Sequence, residues 1–212
     1  LRDPGFDEKT FVAEMQALAK LAHTGVVGFL HHFMQFRKLH LVMEHCPGGS
    51  LRTAIEQGPL PIDKAIQAVR NVASTLRFVH QHDIVHHDIK PENLLFAADG
   101  TLKVGDFGVA NLNGGTRVYM APELFMPAPV SSKDPRIDVY ALGVTLLELV
   151  SGDLPFWDKS AEEMLQMKIG QDFLPDGLPA WLQEILLKAM HPTPELRFQS
   201  MQDFSEALES RY

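Results

Sequence analysis

The sequence predicts an α+β globular protein in which a small mixed segment precedes a larger, mainly helical one. Three observations predict this class. A helical repeat of apolar residues near the start is followed by two short apolar runs. A cluster of helix breakers, Cys46-Pro47-Gly48-Gly49, then interrupts the pattern. Stretches of helical length and apolar periodicity fill most of the remaining chain. With 212 residues, the chain can bury a sizeable core without disulfides.

The small segment is predicted to contain one helix and one hairpin. Apolar side chains at helical spacing predict a helix over Glu8 to Ala22. Two apolar runs follow, Val26 to Phe33 and Leu39 to Glu44, and the polar turn Phe36-Arg37-Lys38 separates them. This arrangement predicts a β-hairpin.

The larger segment is predicted to be helical apart from one second hairpin. A long amphipathic pattern predicts a helix over Pro61 to His82. Short β-like runs at Asn93 to Ala97 and Leu102 to Gly105 flank Asp99-Gly100, a strong hairpin turn. Four further helices are predicted: Asp138 to Ser151, Ala161 to Gly170, Ala180 to Ala189 and Ser200 to Glu209.

Composition excludes several classes of protein. The 19 basic and 27 acidic residues give a net charge of −8, which argues against a nucleic-acid partner. No apolar run is long enough to predict a membrane span. The single cysteine, Cys46, fits a reducing compartment, so we expect a cytoplasmic location. Because the chain begins at Leu1 rather than Met, we expect a fragment and derive no targeting signal from its start.

The residues that carry chemistry lie close together in the middle of the chain. Asp88, Lys90 and Asn93 fall within one Pro-containing loop, and Asp106 follows the second predicted hairpin. Phosphoryl transfer needs such a set: a carboxylate to orient the attacking hydroxyl, a cation at the transferring phosphoryl, and oxygen ligands for Mg²⁺. Catalysis then consists of positioning and charge placement.

In this respect the chain resembles the protein kinase family. His86-His87-Asp88-Ile89-Lys90-Pro91-Glu92-Asn93 resembles the catalytic loop, Asp106-Phe107-Gly108 the magnesium motif, and Ala121-Pro122-Glu123 the end of the activation segment. The resemblance implies a two-lobe kinase-like fold. Residues 1–45 would form a partial small β lobe with the C-helix and two strands, 46–50 the hinge, and 51–212 the helical large lobe.

The resemblance also implies a role for each site residue. Asp88 would be the catalytic base, Lys90 would lie at the γ-phosphate of ATP, and Thr116 would bridge the two. Asn93 and Asp106 would hold Mg²⁺. The nucleotide-binding residues would be the gatekeeper Met43, the hinge residues Glu44 and Cys46, Leu95, and the C-helix glutamate Glu14.

Further matches refine these expectations. A lysine two residues after Asp88, and Gly115-Thr116 before the Ala121-Pro122-Glu123 motif, resemble serine/threonine rather than tyrosine kinases. A stack of Leu18, Phe29, His86 and Phe107 would align the lobes, anchored by Asp138. Arg197 would pair with Glu123. Protein substrates are therefore expected.

Three departures from the family pattern bear on regulation. The glycine-rich phosphate loop and the ATP-binding lysine are missing ahead of Glu14, which implies either a truncated kinase or one that has lost these elements. His87 replaces the arginine that clamps a phosphorylated activation loop. Residues 109–115 contain no Ser, Thr or Tyr to phosphorylate. We therefore expect control through a regulatory domain or partner that moves the Glu14 helix.

Alternatives to this interpretation remain open. A pseudokinase or regulatory binding module would keep the fold without the activity. Glu92 and Glu148 could form an acidic patch for basic substrate residues. The crowding of His80, His82, His86 and His87 could indicate a zinc site, although zinc needs three or four ligands in fixed geometry.

Overall fold

The computed structural model describes residues 23–36, 38–107, 117–125, 131, 133–154 and 156–210. Two short antiparallel sheets and a set of helices make up this part of the chain, which confirms the α+β class. The predicted helix over Glu8 to Ala22 lies outside the described residues. The division of the chain at residues 46–50 stays a prediction.

The first hairpin is formed by β1 (Phe29–Gln35) and β2 (Lys38–Met43). The strands are antiparallel, with Gln35 opposite Lys38 at the turn and Phe29 opposite Met43 at the open end. The predicted hairpin is therefore confirmed, but the first apolar run divides. Its beginning pairs elsewhere: the Val27 N–H donates to the Val104 carbonyl at 2.9 Å.

The second hairpin, β3 (Leu94–Phe96) with β4 (Leu102–Val104), was also predicted. Its turn is closed by Asp99, whose Oδ1 accepts from the Thr101 N–H at 2.9 Å, and by Gly100 at φ 84°. At the open end, the Gly105 N–H donates to the Asn93 carbonyl at 2.8 Å. The hairpin thus brings the loop that ends at Asn93 next to the residue that precedes Asp106.

The glycine pair of the breaker cluster lies along β3. The Gly48 N–H donates to the Phe96 carbonyl at 2.9 Å, and the Phe96 N–H donates to the Gly49 carbonyl at 2.8 Å. A Cβ on Gly48 would lie 2.6 Å from the Phe96 Cβ, and Gly49 has φ 78°. Only glycine allows both this close approach and this backbone conformation without strain.

Six helices form the body of the described part: α1 (Leu51–Ile55), α2 (Ile62–His80), α3 (Arg136–Ser151), α4 (Ala161–Gly170), α5 (Ala180–Ala189) and α6 (Met201–Glu209). Their bounds follow the predicted ones within a few residues, except for α1, which was not predicted. Ser50 caps α1 by accepting from the Thr53 N–H, and Ser160 caps α4 with a reciprocal capping box.

Helix α3 forms the centre of the hydrophobic core. Its residues are buried without interruption from Ile137 to Leu149, as expected for a helix surrounded by other elements. The amphipathic helix α2 instead buries one face, which includes Val69, Val72 and Leu76. Among the described helices, none is both long enough and apolar enough to cross a membrane.

Candidate active site

Three side chains of one loop are joined by hydrogen bonds around Asp88. The Lys90 Nζ donates to Asp88 Oδ2 at 2.8 Å, and the Asn93 Nδ2 donates to the same oxygen at 2.9 Å. Asn93 Nδ2 also donates to the Asp88 backbone carbonyl at 2.7 Å. We call this set the catalytic-loop triad. It holds a carboxylate in a fixed orientation beside a cation, and 20% of the Asp88 side chain is exposed.

The loop is attached to the core through Asp138 at the start of α3. Asp138 Oδ2 accepts from the His80 Nε2 and the His86 backbone N–H, each at 2.8 Å, and its Oδ1 accepts from the His87 N–H at 2.9 Å. Burial alone would raise the pKa of Asp138, but the hydrogen bonds from these donors lower it overall. A buried carboxylate thus holds the backbone directly ahead of Asp88.

His86 connects the loop to the segment that carries Asp106. Its Nδ1 accepts from the Asp88 backbone N–H at 3.2 Å, so its Nε2 carries the proton and donates to the Gly105 carbonyl at 2.7 Å. Its ring lies 4.4 Å from that of Phe107 between centroids. Complete burial lowers the pKa of His86, which keeps the imidazole neutral.

This buried neutral histidine predicts a specific pH dependence of stability. With a pKa lowered from its usual value of about 6.5, the folded chain binds fewer protons than the unfolded chain at acidic pH. The contribution of His86 to the free energy of unfolding is therefore complete above about pH 6.5 and is lost as the pH falls. We expect the difference in unfolding free energy between wild type and His86→Gln to shrink by up to about 1.4 kcal/mol per pH unit below that point.

Urea unfolding between pH 5 and 8 measures this difference. His45→Gln is the matched control because His45 is exposed, and its variant should stay within about 0.5 kcal/mol of wild type. A gap between wild type and His86→Gln that stays constant from pH 7 to pH 5 would show that His86 does not become neutral on folding.

The residues predicted to hold Mg²⁺ lie at the open end of the second hairpin. Because the amide nitrogen of Asn93 is used by Asp88, its Oδ1 remains as a possible metal ligand. Asp106 is exposed and has φ 55°, an uncommon backbone conformation for a residue other than glycine. An amide oxygen and a carboxylate suit Mg²⁺, which takes few protein ligands together with substrate phosphates. The donor set therefore fits this ion.

Three histidines of the crowded segment make hydrogen bonds within the chain. His80 is bound to Asp138, His86 to the Gly105 carbonyl, and His82 to the Phe78 carbonyl. Within residues 23–36, 38–107 and the later described ranges, no three His, Cys, Asp or Glu side chains group as metal ligands.

The segment from Met43 to Cys46, which the resemblance predicts to face adenine, is held in place by the side chain of Glu44. Its carboxylate accepts from the Lys103 Nζ at 2.7 to 2.8 Å and from the Gly28 N–H at 3.0 Å. The hydrogen bond from Lys103 lowers the pKa of Glu44. Among described residues, no hydrogen bond uses the Glu44 carbonyl or the Cys46 N–H. Met43 ends β2 beside this segment, and Leu95 lies opposite Ser50 in an isolated bridge.

Two buried cations fix the segment that ends in Ala121-Pro122-Glu123. Arg197 donates to both oxygens of Glu123, at 2.7 and 2.6 Å, as the resemblance implied. Lys168, on α4, donates to the carbonyls of Arg117, Val118 and Met120. Burial lowers the pKa of Lys168 to about 7, against the opposing effect of Glu123. Sequence reasoning missed Lys168, although its place four residues after Met164 on a buried helix face was a usable signal.

The carboxylates of Glu92 and Glu148, which could have formed an acidic patch, both make ion pairs within the chain. Arg52, on α1, forms an ion pair with each glutamate at 2.8 Å. Glu148 is also buried, with 1% of its side chain exposed. The hypothesis that both carboxylates face substrates is therefore wrong for the structure as it stands. Sequence reasoning did not anticipate Arg52, because nothing near it in sequence indicates its partners.

Two predicted site residues, Glu14 and Thr116, lie outside the described residues, as does Leu18 of the proposed apolar stack. The other site residues fall into two groups: the triad with Asp106 at the second hairpin, and the segment from Met43 to Cys46 with Leu95 opposite Ser50.

Comparison with known proteins gives a consistent result. The protein kinase domain family matches residues 2–212. Sperm motility kinase 2B of Mus musculus is 32% identical over 197 residues, which cover 88% of this chain and 40% of that protein. Serine/threonine-protein kinase PknB of Mycobacterium leprae is 32% identical over 221 residues, which cover 94% of this chain and 35% of that protein. The chain thus spans less than half the length of these relatives.

Proposed function

The chain belongs to the protein kinase family, and from this we propose that it transfers the γ-phosphate of ATP to serine and threonine hydroxyls of proteins, with Mg²⁺ as cofactor. The observation that carries the proposal is the catalytic-loop triad, in which Lys90 and Asn93 both donate to one oxygen of Asp88. A protein that used only the fold would have no physical need for this arrangement. For that reason we favour the enzyme over the pseudokinase.

In this proposal Asp88 orients the acceptor hydroxyl and takes up its proton. Oδ2 is occupied by Lys90 and Asn93, so Oδ1 is the oxygen available to the hydroxyl. Lys90, which is 17% exposed, offers its positive charge at the side of Asp88 where the phosphoryl group must lie. These groups position charge and perform no covalent chemistry, as is typical of phosphoryl transfer.

Asn93 and Asp106 would hold the magnesium ion. When bound, Mg²⁺ neutralises and bridges the phosphate oxygens of the nucleotide. The hydrogen bond between Gly105 and Asn93 fixes the distance between the two segments that supply these ligands. The buried His86 ring also connects these two segments, because it hydrogen-bonds both the Asp88 N–H and the Gly105 carbonyl.

The nucleotide base would lie against the segment from Met43 to Cys46, with Leu95 beneath it. The ion pair between Glu44 and Lys103 keeps the Glu44 side chain engaged, so that the Glu44 carbonyl and the Cys46 N–H can serve as backbone partners of adenine. Glu14 and Thr116 keep the roles that the family resemblance implies.

Protein substrates and regulation complete the proposal. The segment after residue 116 is held by Lys168 and by the pair of Glu123 with Arg197, which suits a rigid platform for an extended peptide. His87 and the absence of hydroxyl residues at 109–115 favour control through the Glu14 helix, by a regulatory domain or partner, over phosphorylation of the activation segment. A single cysteine fits a reducing cytoplasmic location.

The test is transfer of labelled γ-phosphate by the full-length gene product to peptides that offer serine, threonine or tyrosine. We expect phosphoserine and phosphothreonine in the product, and loss of transfer when EDTA removes Mg²⁺. Nucleotide binding without any transfer would support the pseudokinase instead. Phosphotyrosine as the main product would contradict the prediction that serine and threonine are the acceptor residues.

A further inference from the structure

Arg52 links three separate parts of the chain through its guanidinium group. Its Nε donates to Glu92 Oε1 at 2.8 Å, its Nη1 lies 2.8 Å from Glu148 Oε1, and its Nη2 donates to the Tyr119 hydroxyl at 2.7 Å. The Tyr119 hydroxyl in turn donates to Glu148 Oε2 at 2.5 Å. All three nitrogens of the guanidinium are therefore engaged. We call these four residues the Arg52 cluster.

Burial distinguishes the members of the cluster. The Glu148 side chain is 1% exposed and Tyr119 is 3% exposed, whereas the Arg52 side chain is 26% exposed and that of Glu92 43%. Burial raises the pKa of Tyr119, as does the Glu148 charge, so its hydroxyl stays protonated and can donate. A buried carboxylate needs a cation close by, and Arg52 is the cation that covers Glu148 on its solvent side.

The cluster lies beside the proposed transfer site. Glu92 belongs to the 3₁₀ turn Pro91–Asn93, whose last residue donates to Asp88. Tyr119 belongs to the turn that begins directly after Thr116. Because Glu92 directly precedes Asn93, a substrate with its hydroxyl at Asp88 would pass the cluster with a residue close to the acceptor in sequence.

We propose that Arg52 is a specificity-determining residue: it occupies, from within the chain, an acidic site that would otherwise select an arginine of the substrate. The inference deepens the proposed function and rests on it. Because Arg52 already satisfies Glu92 and Glu148, the enzyme gains nothing from a basic residue near the acceptor. Wild type therefore shows no preference for arginine or lysine at these positions.

Removal of Arg52 should reverse this preference. In Arg52→Ala, Glu148 keeps Tyr119 but loses its cation, and the space of the guanidinium opens toward solvent. A substrate arginine could then form the same charge-assisted hydrogen bonds, which are about twice as strong as neutral ones. We expect about a tenfold or greater gain in kcat/KM for arginine over alanine at the responsive position.

The experiment uses the full-length gene product and peptides in which arginine or alanine is placed in turn at each position from −3 to +3 around the acceptor. Four proteins are compared: wild type, Arg52→Ala, Arg52→Ala/Glu148→Gln, and Arg77→Ala as the matched control, since Arg77 is an exposed arginine on α2. Wild type and Arg77→Ala should treat arginine and alanine peptides alike within about twofold. Arg52→Ala should prefer arginine, and the added Glu148→Gln should abolish that preference.

A second readout does not depend on activity. Ethylguanidinium, added as a probe, should raise the Tm of Arg52→Ala, but not that of wild type or of the double variant. A Tm shift of this kind would support the arginine site even if no peptide were phosphorylated. Absence of phosphorylation would contradict the proposed function and not the site. If Arg52→Ala does not fold, Arg52→Gln, which keeps an amide donor, replaces it in both measurements.

Two outcomes would overturn the inference. A wild-type enzyme that prefers an arginine peptide tenfold would show that the acidic site is open despite Arg52. A folded Arg52→Ala protein with neither the arginine preference nor the ethylguanidinium shift would show that the cluster lies out of reach of ligands and serves stability alone.

Discussion

Asp88→Asn should lower kcat by a factor of about 10² to 10⁴, the usual share of general acid–base catalysis, and leave ATP affinity nearly unchanged. Asparagine matches aspartate in shape and can still accept one hydrogen bond from Lys90 or Asn93, so the loop should keep its conformation. What it loses is the ability to accept the proton of the substrate hydroxyl. Steady-state kinetics together with isothermal titration of ATP measure the two effects separately.

Asp83→Asn is the control for this substitution. Asp83 lies in the same region of the chain, is exposed, and has φ 58°, a conformation that asparagine also tolerates. Its variant should retain wild-type kinetics. Near-wild-type kcat in Asp88→Asn would show that Asp88 is not the base, whereas an equal loss in both variants would indicate a general effect on the loop.

The second large effect is expected from Asp138→Ala, which should lower the free energy of unfolding by about 3 to 5 kcal/mol. The substitution leaves the buried backbone N–H of His86, the partly buried N–H of His87 and the ring of His80 without their acceptor. Each buried polar group left unsatisfied costs about 1–3 kcal/mol. Activity should fall as well, because the backbone ahead of Asp88 loses its attachment to α3.

Urea unfolding of wild type, Asp138→Ala and Asp172→Ala measures this cost. Asp172 is exposed, and its backbone N–H donates to the Met167 carbonyl, a bond that alanine keeps, so its variant should lie within about 0.5 kcal/mol of wild type. A loss below about 1 kcal/mol for Asp138→Ala would mean that water or a rearranged loop satisfies the freed donors.

Local patterns predicted the helices and hairpins well because each carries its own signals. The structure has α4 and α5 at the predicted residues: Ser160 caps α4, and Pro179 directly precedes α5. Helix α1 was missed because its five residues are fewer than periodicity can reveal. The first apolar run was assigned wholly to one hairpin, although Val26 forms a parallel bridge with Val104. Which strand a residue pairs with is a tertiary property that alternation does not encode.

The site shows the same limit. Asp88, Lys90 and Asn93 lie within one loop, so their spacing alone suggested that they act together. The partners of Arg52 and Lys168 are far away in sequence, and each cation looks like an ordinary surface charge until the fold buries it. The same limit applies to Glu92 and Glu148: their carboxylates were visible in the sequence, but the cation that neutralises them was not.

The measurement that bears most directly on the catalytic-loop triad is kcat of the double variant Asp88→Asn/Lys90→Met compared with each single variant. Side chains that act as one unit show strongly non-additive losses. If Lys90 works through its contact with Asp88, the double variant should be no more than about threefold slower than the slower single variant. A loss equal to the product of the two single losses would contradict this, and would show that Asp88 and Lys90 contribute independently.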